Sequence, residues 1–100
     1  MRKIEKEMLN AVHTKMDKWV KDNTAVFYLA DNETGNPYGA RSEIYLHGNL
    51  IAEYWHSKGI SVDITTLKRW STPTTKSRLR ALGAKVSTKK GITYLNGEAL

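Results

Sequence analysis

Ser42-Glu43-Ile44-Tyr45-Leu46-His47-Gly48-Asn49-Leu50-Ile51-Ala52-Glu53-Tyr54-Trp55 is the stretch on which the fold turns. Its two arms, 42–46 and 50–55, are rich in β-branched and aromatic side chains, which suit a pleated, half-buried surface. Between them lies His47-Gly48-Asn49, where Gly and Asn tolerate the positive φ that tight hairpin turns require. The spacing predicts an antiparallel hairpin. On its C-terminal side Lys58-Gly59 makes the next turn, and Ile60, Val62 and Ile64 alternate as one face of a strand does. On its N-terminal side, residues 24–30 (Thr-Ala-Val-Phe-Tyr-Leu-Ala) read as a further strand. Asn32, Gly35, Asn36, Pro37 and Gly39 then fill 31–40 with turn formers. Residues 24–64 are therefore expected to form a small antiparallel meander.

Ahead of the meander, Ile4, Met8, Val12, Met16 and Trp19/Val20 recur every three or four residues. That period places them on one face and predicts an amphipathic helix over 2–22, with Asp22 and Asn23 as the stop. Behind it, 65–70 reads equally as a strand end or one helical turn. Thr72-Pro73-Thr74-Thr75 looks like a helix start, with Thr72 as N-cap and Pro73 at the first helical position. Thr75, Leu79 and Leu82 share a face. Gly83 is the expected terminator, Lys76, Ser77 and Arg80 point away, and Arg78 lies on the flank. Residues 86–95 form a second hairpin turning at Lys89-Lys90-Gly91, and Asn96-Gly97 signals another tight turn. Tyr45-Leu46-His47-Gly48-Asn49-Leu50-Ile51 echoes Tyr94-Leu95-Asn96-Gly97-Glu98-Ala99-Leu100, which reads as one turn chemistry used twice rather than as a repeat unit.

These pieces add up to a single α+β domain over residues 1–100. An N-terminal amphipathic helix packs on an antiparallel sheet of about five or six strands, with a second short helix near 73–82. The three segments are helix 1–22, meander 24–64, and a basic helix plus hairpin over 67–97. Forty per cent of the 100 residues are apolar and 26% charged, too apolar and too balanced for intrinsic disorder. No apolar run approaches the roughly 20 residues of a membrane-crossing helix. Arg2, Lys3, Glu5, Lys6 and Glu7 leave no apolar stretch for a signal peptide, so a cytoplasmic protein is expected. With no cysteine there are no disulfides or thiolate metal sites.

The formal charge is +6, unevenly distributed. Residues 23–57 are acidic, with Arg41 against Asp31, Glu33, Glu43 and Glu53. Residues 68–90 carry Lys68, Arg69, Lys76, Arg78, Arg80, Lys85, Lys89 and Lys90 and no acid. Unopposed like charge at that density works against the compact state unless a polyanion meets it. The blander reading is a solvated face that keeps a small protein soluble. The helix start adds unpaired backbone N–H groups, and Thr74, Thr75 and Ser77 add hydroxyls, all able to bind phosphate oxygens. Lys76, Arg78 and Arg80 are placed to hold the phosphate backbone or reach base edges from a helix in a major groove. The candidate nucleic-acid-binding set is thus Lys68, Arg69, Thr74, Thr75, Lys76, Ser77, Arg78, Arg80, Lys85, Lys89 and Lys90.

Leu67-Lys68-Arg69-Trp70-Ser71-Thr72-Pro73-Thr74-Thr75-Lys76-Ser77-Arg78-Leu79-Arg80-Ala81-Leu82-Gly83 resembles the second and third helices of a helix-turn-helix, and 84–95 resembles the wing of a winged helix. The resemblance covers 67–95 and implies a recognition helix over 74–82. It departs from the regular pattern in its short first helix and in the β-meander ahead of it. The whole chain also resembles small accessory proteins of tailed bacteriophages, on the stretches Tyr45-Leu46-His47-Gly48-Asn49-Leu50-Ile51-Ala52 and 72–83. That resemblance implies a phage protein working in the host cytoplasm, with DNA or a host protein as partner, and it assigns no catalytic residue.

Enzymatic chemistry has little footing. His13, His47 and His56 match no metal-ligand spacing, Asp31 with Glu33 is a single short acidic pair, and no phosphate loop or nucleophile motif is present. No cofactor and no metal are expected. A small metal-dependent nuclease is the least favoured reading. Among Tyr28, Tyr38, Tyr45, Tyr54, Trp55, Trp70 and Tyr94, most belong in a core. Tyr38 and Trp70 sit nearest turns and are the aromatics expected to be exposed and able to stack unpaired bases. The function expected is nucleic-acid binding, DNA favoured over RNA, mainly through phosphate contacts. The alternative is a phage-type inhibitor or adaptor that docks on an acidic surface of a host protein.

Overall fold

The computed structural model describes residues 1–30 and 39–100. Most of the turn-rich stretch 31–40, with Asp31, Glu33 and Tyr38, lies outside the described residues. The chain runs α1 (Lys3–His13), β1 (Lys18–Lys21), β2 (Thr24–Leu29), β3 (Arg41–Leu46), β4 (Asn49–Trp55), β5 (Gly59–Val62), α2 (Ile64–Arg69), α3 (Pro73–Ala81), β6 (Val86–Lys89), β7 (Ile92–Leu95) and β8 (Glu98–Ala99). The expected α+β class holds. The strands form an antiparallel five-stranded sheet in the order β1 to β5 and a separate three-stranded sheet, β6-β7-β8.

Strand pairing aligns Trp19, Val26, Ile44, Ala52 and Val62 in one row across the five strands. This row lies on the side covered by α1, whose Met8, Ala11 and Val12 join Val26, Ile44, Ala52, Leu67, Leu79 and Val86 in one core. A register shift between Ile44 and Tyr45 inserts an extra residue in β4, and both Ile51 and Ala52 are buried there. The two echoing turns share their geometry. His47-Gly48 has φ 51 and 79°, and Asn96-Gly97 has φ 53 and 84°, each closing a two-residue connection. Both central residues at positive φ are what a type I′ hairpin turn demands.

Two expectations are corrected. The strand expected to alternate through Ile64 stops at Val62, because Asp63 caps a helix that Ile64 begins. The helix over 2–22 ends at His13. Lys15 takes φ 55°, its N–H bonds to the Val12 carbonyl and that of Met16 to the Ala11 carbonyl, a Schellman closure. The chain then reverses into β1, which pairs with β2 and leaves Val20 56% exposed.

The ambiguous stretch 65–70 is helical. Asp63 caps α2, its Oδ1 accepting from the Thr66 N–H at 2.9 Å. The start expected for the next helix is present: Thr72 Oγ1 accepts from the Thr75 N–H at 3.2 Å and Pro73 begins α3. Gly83, at φ 102°, ends it, with its N–H on the Arg80 carbonyl and that of Ala84 on the Leu79 carbonyl. Thr72 Oγ1 also lies 2.9 Å from the hydroxyl of buried Thr75. Thr72→Ala should therefore cost about 1–2 kcal/mol, with Thr72→Ser close to wild type, read from urea midpoints.

Candidate nucleic-acid interface

Helix α3 is held between α1 and β6. On one flank its Ser77 hydroxyl donates to Glu5 Oε2 at 2.6 Å, and Arg78 donates from a terminal guanidinium nitrogen to the same oxygen at 2.8 Å. Arg78 Nε donates to Thr24 Oγ1 of β2 at 3.2 Å. The Arg2 backbone N–H reaches the other Glu5 oxygen at 3.3 Å. Glu5 and Arg78 are only 2% and 3% exposed. Burial alone would raise the Glu5 pKa. The hydrogen bonds from Ser77, Arg78 and the Arg2 amide, together with the Arg78 charge, outweigh burial and hold the carboxyl below its ordinary value.

On the other flank, Lys76 Nζ donates to Thr88 Oγ1 at 2.6 Å and Arg80 donates to the Val86 carbonyl at 3.3 Å. Two side chains one helical turn apart thus lie along β6. The end of α2 approaches the tip of the β6–β7 hairpin, where Lys68 and Ser71 share a groove of about 430 Å3 with Gly91 and Ile92.

The candidate residues divide accordingly. Arg78 and Thr75, both expected to bind nucleic acid, are buried: Thr75 lies on the face it shares with Leu79, and Arg78 is drawn in from the flank. Arg78 is an internal tie between α3, α1 and β2. Ser77 is half-buried and committed to Glu5. Lys76 and Arg80 stay on the α3–β6 face, Lys90 is exposed at the hairpin turn, and Thr74 is half-exposed near the start of α3. Lys85 and Lys89 alternate onto the face of β6 opposite Val86 and Thr88. Lys85 lines a different groove, with Ile60, Val62 and Asn96. Lys68 and Arg69 are exposed on α2, and the Arg69 guanidinium sits 4.8 Å from the centroid of the Trp70 ring. Of the eight cations in 68–90, Arg78 is the one that pairs with a described carboxylate.

The acidic residues of the sheet are engaged elsewhere. Arg41 bonds Glu43 at 3.2 Å, and its Nε lies 2.9 Å from Glu53 without hydrogen-bond alignment. Tyr45 donates its hydroxyl to Glu43 at 3.1 Å. His13 and His56 share the Tyr54 ring, and His47 lies apart from them. His56 stacks edge-on with Tyr28 and Tyr54 and bonds Ser42 at 3.0 Å, His13 meets Tyr54, and His47 forms the β3–β4 turn. Burial, then the charges of Lys15 and His13, push the His56 pKa below its ordinary value.

The family described as Kyanoviridae Gp96 protein has a model that matches residues 1–100. The chain belongs to that family. Its resemblance to small phage proteins is thereby borne out at that level. No curated protein and no solved structure matches the chain. In this family member no helix among the described residues is long and apolar enough to cross a membrane.

Sequence reasoning missed two cations. Arg2 stands one turn from Glu5 on the flank of α1 that adjoins α3, and Lys6 follows it. Both are exposed. They adjoin Glu5, the residue of α1 that Ser77 and Arg78 of α3 contact. The signal was the acid they flank: a glutamate one helical turn inside an amphipathic start can cap that start and reach a neighbouring helix.

Proposed function

We propose that the chain binds nucleic acid through the face formed by α3 and the β6–β7 hairpin, mainly by phosphate contacts. Lys76 and Arg80 are central, Lys68 and Lys90 flank them on the hairpin side, and Arg2 and Lys6 flank them on the α1 side. The observation that carries this reading is that these cations form no ion pair with a described carboxylate, while Lys76 and Arg80 are anchored to β6. Positive charge held in place without an internal counter-ion is charge kept for an external one. The order α2, short connection, α3, hairpin supports the helix-turn-helix-like reading, with α3 as the helix offered to a groove. Duplex DNA is the favoured form, because its major groove admits a helix whereas that of A-form RNA is too narrow. The setting is the host cytoplasm.

Salt dependence tests this. If Lys68, Lys76, Arg80 and Lys90 each neutralise one phosphate, log affinity falls with log salt at a slope of about −3.6, so a fourfold rise in salt weakens binding about 100-fold. A salt-independent affinity for duplex DNA would contradict it. Pull-down from nuclease-treated lysate separates the rival. A single stoichiometric host protein retained there would mean that the cations serve an acidic protein surface instead.

A further inference from the structure

Between the β3–β4 turn and the α2–α3 connection lies a hollow of about 220 Å3. Leu46 and Ile51, both buried, supply its apolar floor. Trp70 forms a wall, and His47, Asn49 and Thr66 supply polar groups. Trp70 follows α2 directly, its N–H bonded to the Thr66 carbonyl at 2.9 Å, and remains 42% exposed. A large aromatic left open on a turn forgoes much of the burial a core position would give it. The Arg69 guanidinium stacked at 4.8 Å helps to fix the ring. Among the described residues the Asn49 amide makes one weak bond, to the His47 carbonyl at 3.4 Å. Its oxygen and most of its donor capacity stay open.

We propose that this hollow takes one unpaired nucleobase, stacked on Trp70 with its hydrogen-bonding edge toward Asn49. The proposal rests on the nucleic-acid reading of the adjoining basic face and adds the feature recognised: a base outside the double helix, as a bulge or a single-stranded end. The volume suits one heteroaromatic ring system and is too small for a base pair. An amide offers the paired donor and acceptor that base edges match. Among the described residues no acidic side chain lines the hollow, and Lys68 and Arg69 precede Trp70 in the chain, so the rim favours a ring that carries phosphate over a neutral aromatic.

The test compares a blunt duplex with the same duplex carrying a one-nucleotide bulge or a short overhang, at one salt concentration. The wild-type protein should bind the unpaired-base duplexes about tenfold more tightly. Trp70→Ala and Asn49→Ala, folded by circular dichroism, should lose that preference while Trp70→Phe keeps most of it. Equal wild-type affinity for all duplexes, or an undiminished preference in Trp70→Ala, overturns the hollow but leaves the basic face standing. Failure to bind any duplex overturns the basic face. The hollow then stands or falls on whether millimolar adenosine monophosphate shifts the Trp70 indole and Asn49 amide resonances.

Discussion

Replacing Glu5 with alanine is expected to destabilise the protein by about 3–5 kcal/mol, the range found when one partner of a buried ion pair is removed. The Arg78 guanidinium, 3% exposed, would keep its bond to Thr24 but lose its counter-charge, and the Ser77 hydroxyl would lose its acceptor. Domains of this size are stable by only about 5–15 kcal/mol, so the loss is a large share of the total. The melting temperature should fall by at least about 12 °C. The paired replacement Glu5→Leu with Arg78→Met should recover most of the loss or exceed wild type, because two apolar side chains need no counter-charge.

Acid should act through the same pair. The folded-state pKa of Glu5 lies below its unfolded value of about 4.5, so its contribution is fully present above that pH and is lost as pH falls through the folded value. Stability in Glu5→Gln should therefore fall less steeply than wild type below pH 4.5. Denaturant midpoints across pH 3–7 read both effects, and a Glu5→Ala variant within 1 kcal/mol of wild type would refute them.

Reversing two charges, Lys76→Glu with Arg80→Glu, should weaken duplex binding by more than about 100-fold in moderate salt. Two phosphate contacts become two repulsions, and the salt slope should drop to about −1.8. The fold should survive. Both residues are on the surface, and each contributes one hydrogen bond to β6. Lys85→Glu is the internal comparison. Lys85 lines the groove with Ile60 and Val62, away from α3, and its reversal should cost less than tenfold. A gel shift with circular dichroism as the folding control measures all three. Wild-type affinity in the folded double variant would remove α3 from the interface.

The hairpins, the α3 caps and the β3–β5 meander were readable because their signals are local. Gly48, Gly83 and Gly97 mark turns by backbone geometry alone, and Thr72-Pro73 marks a helix start by the groups that a start leaves unpaired. The first helix was overrun because Met16 and Val20 extend a three-to-four period that a short strand satisfies equally over so few residues. Only pairing with β2, a tertiary fact, decides between them. Arg78 was misplaced for the same reason. Its position on the wheel is a flank, and what buries it is Glu5, far away in the sequence. The cations that remain outside were legible as charge. Their division by the two faces of β6 was not, since it depends on which side of the hairpin meets α3.

The central claim is that α3 and the hairpin tip present one surface to nucleic acid. Titrating duplex DNA into isotopically labelled protein and following the backbone amide resonances tests it most directly. The account predicts that the perturbations concentrate at residues 73–80 and 87–91, spread to residues 2–6, and leave the β1–β2 hairpin unmoved. Perturbations confined to the β1–β2 hairpin, or none at concentrations where Lys76 and Arg80 should be engaged, would contradict it.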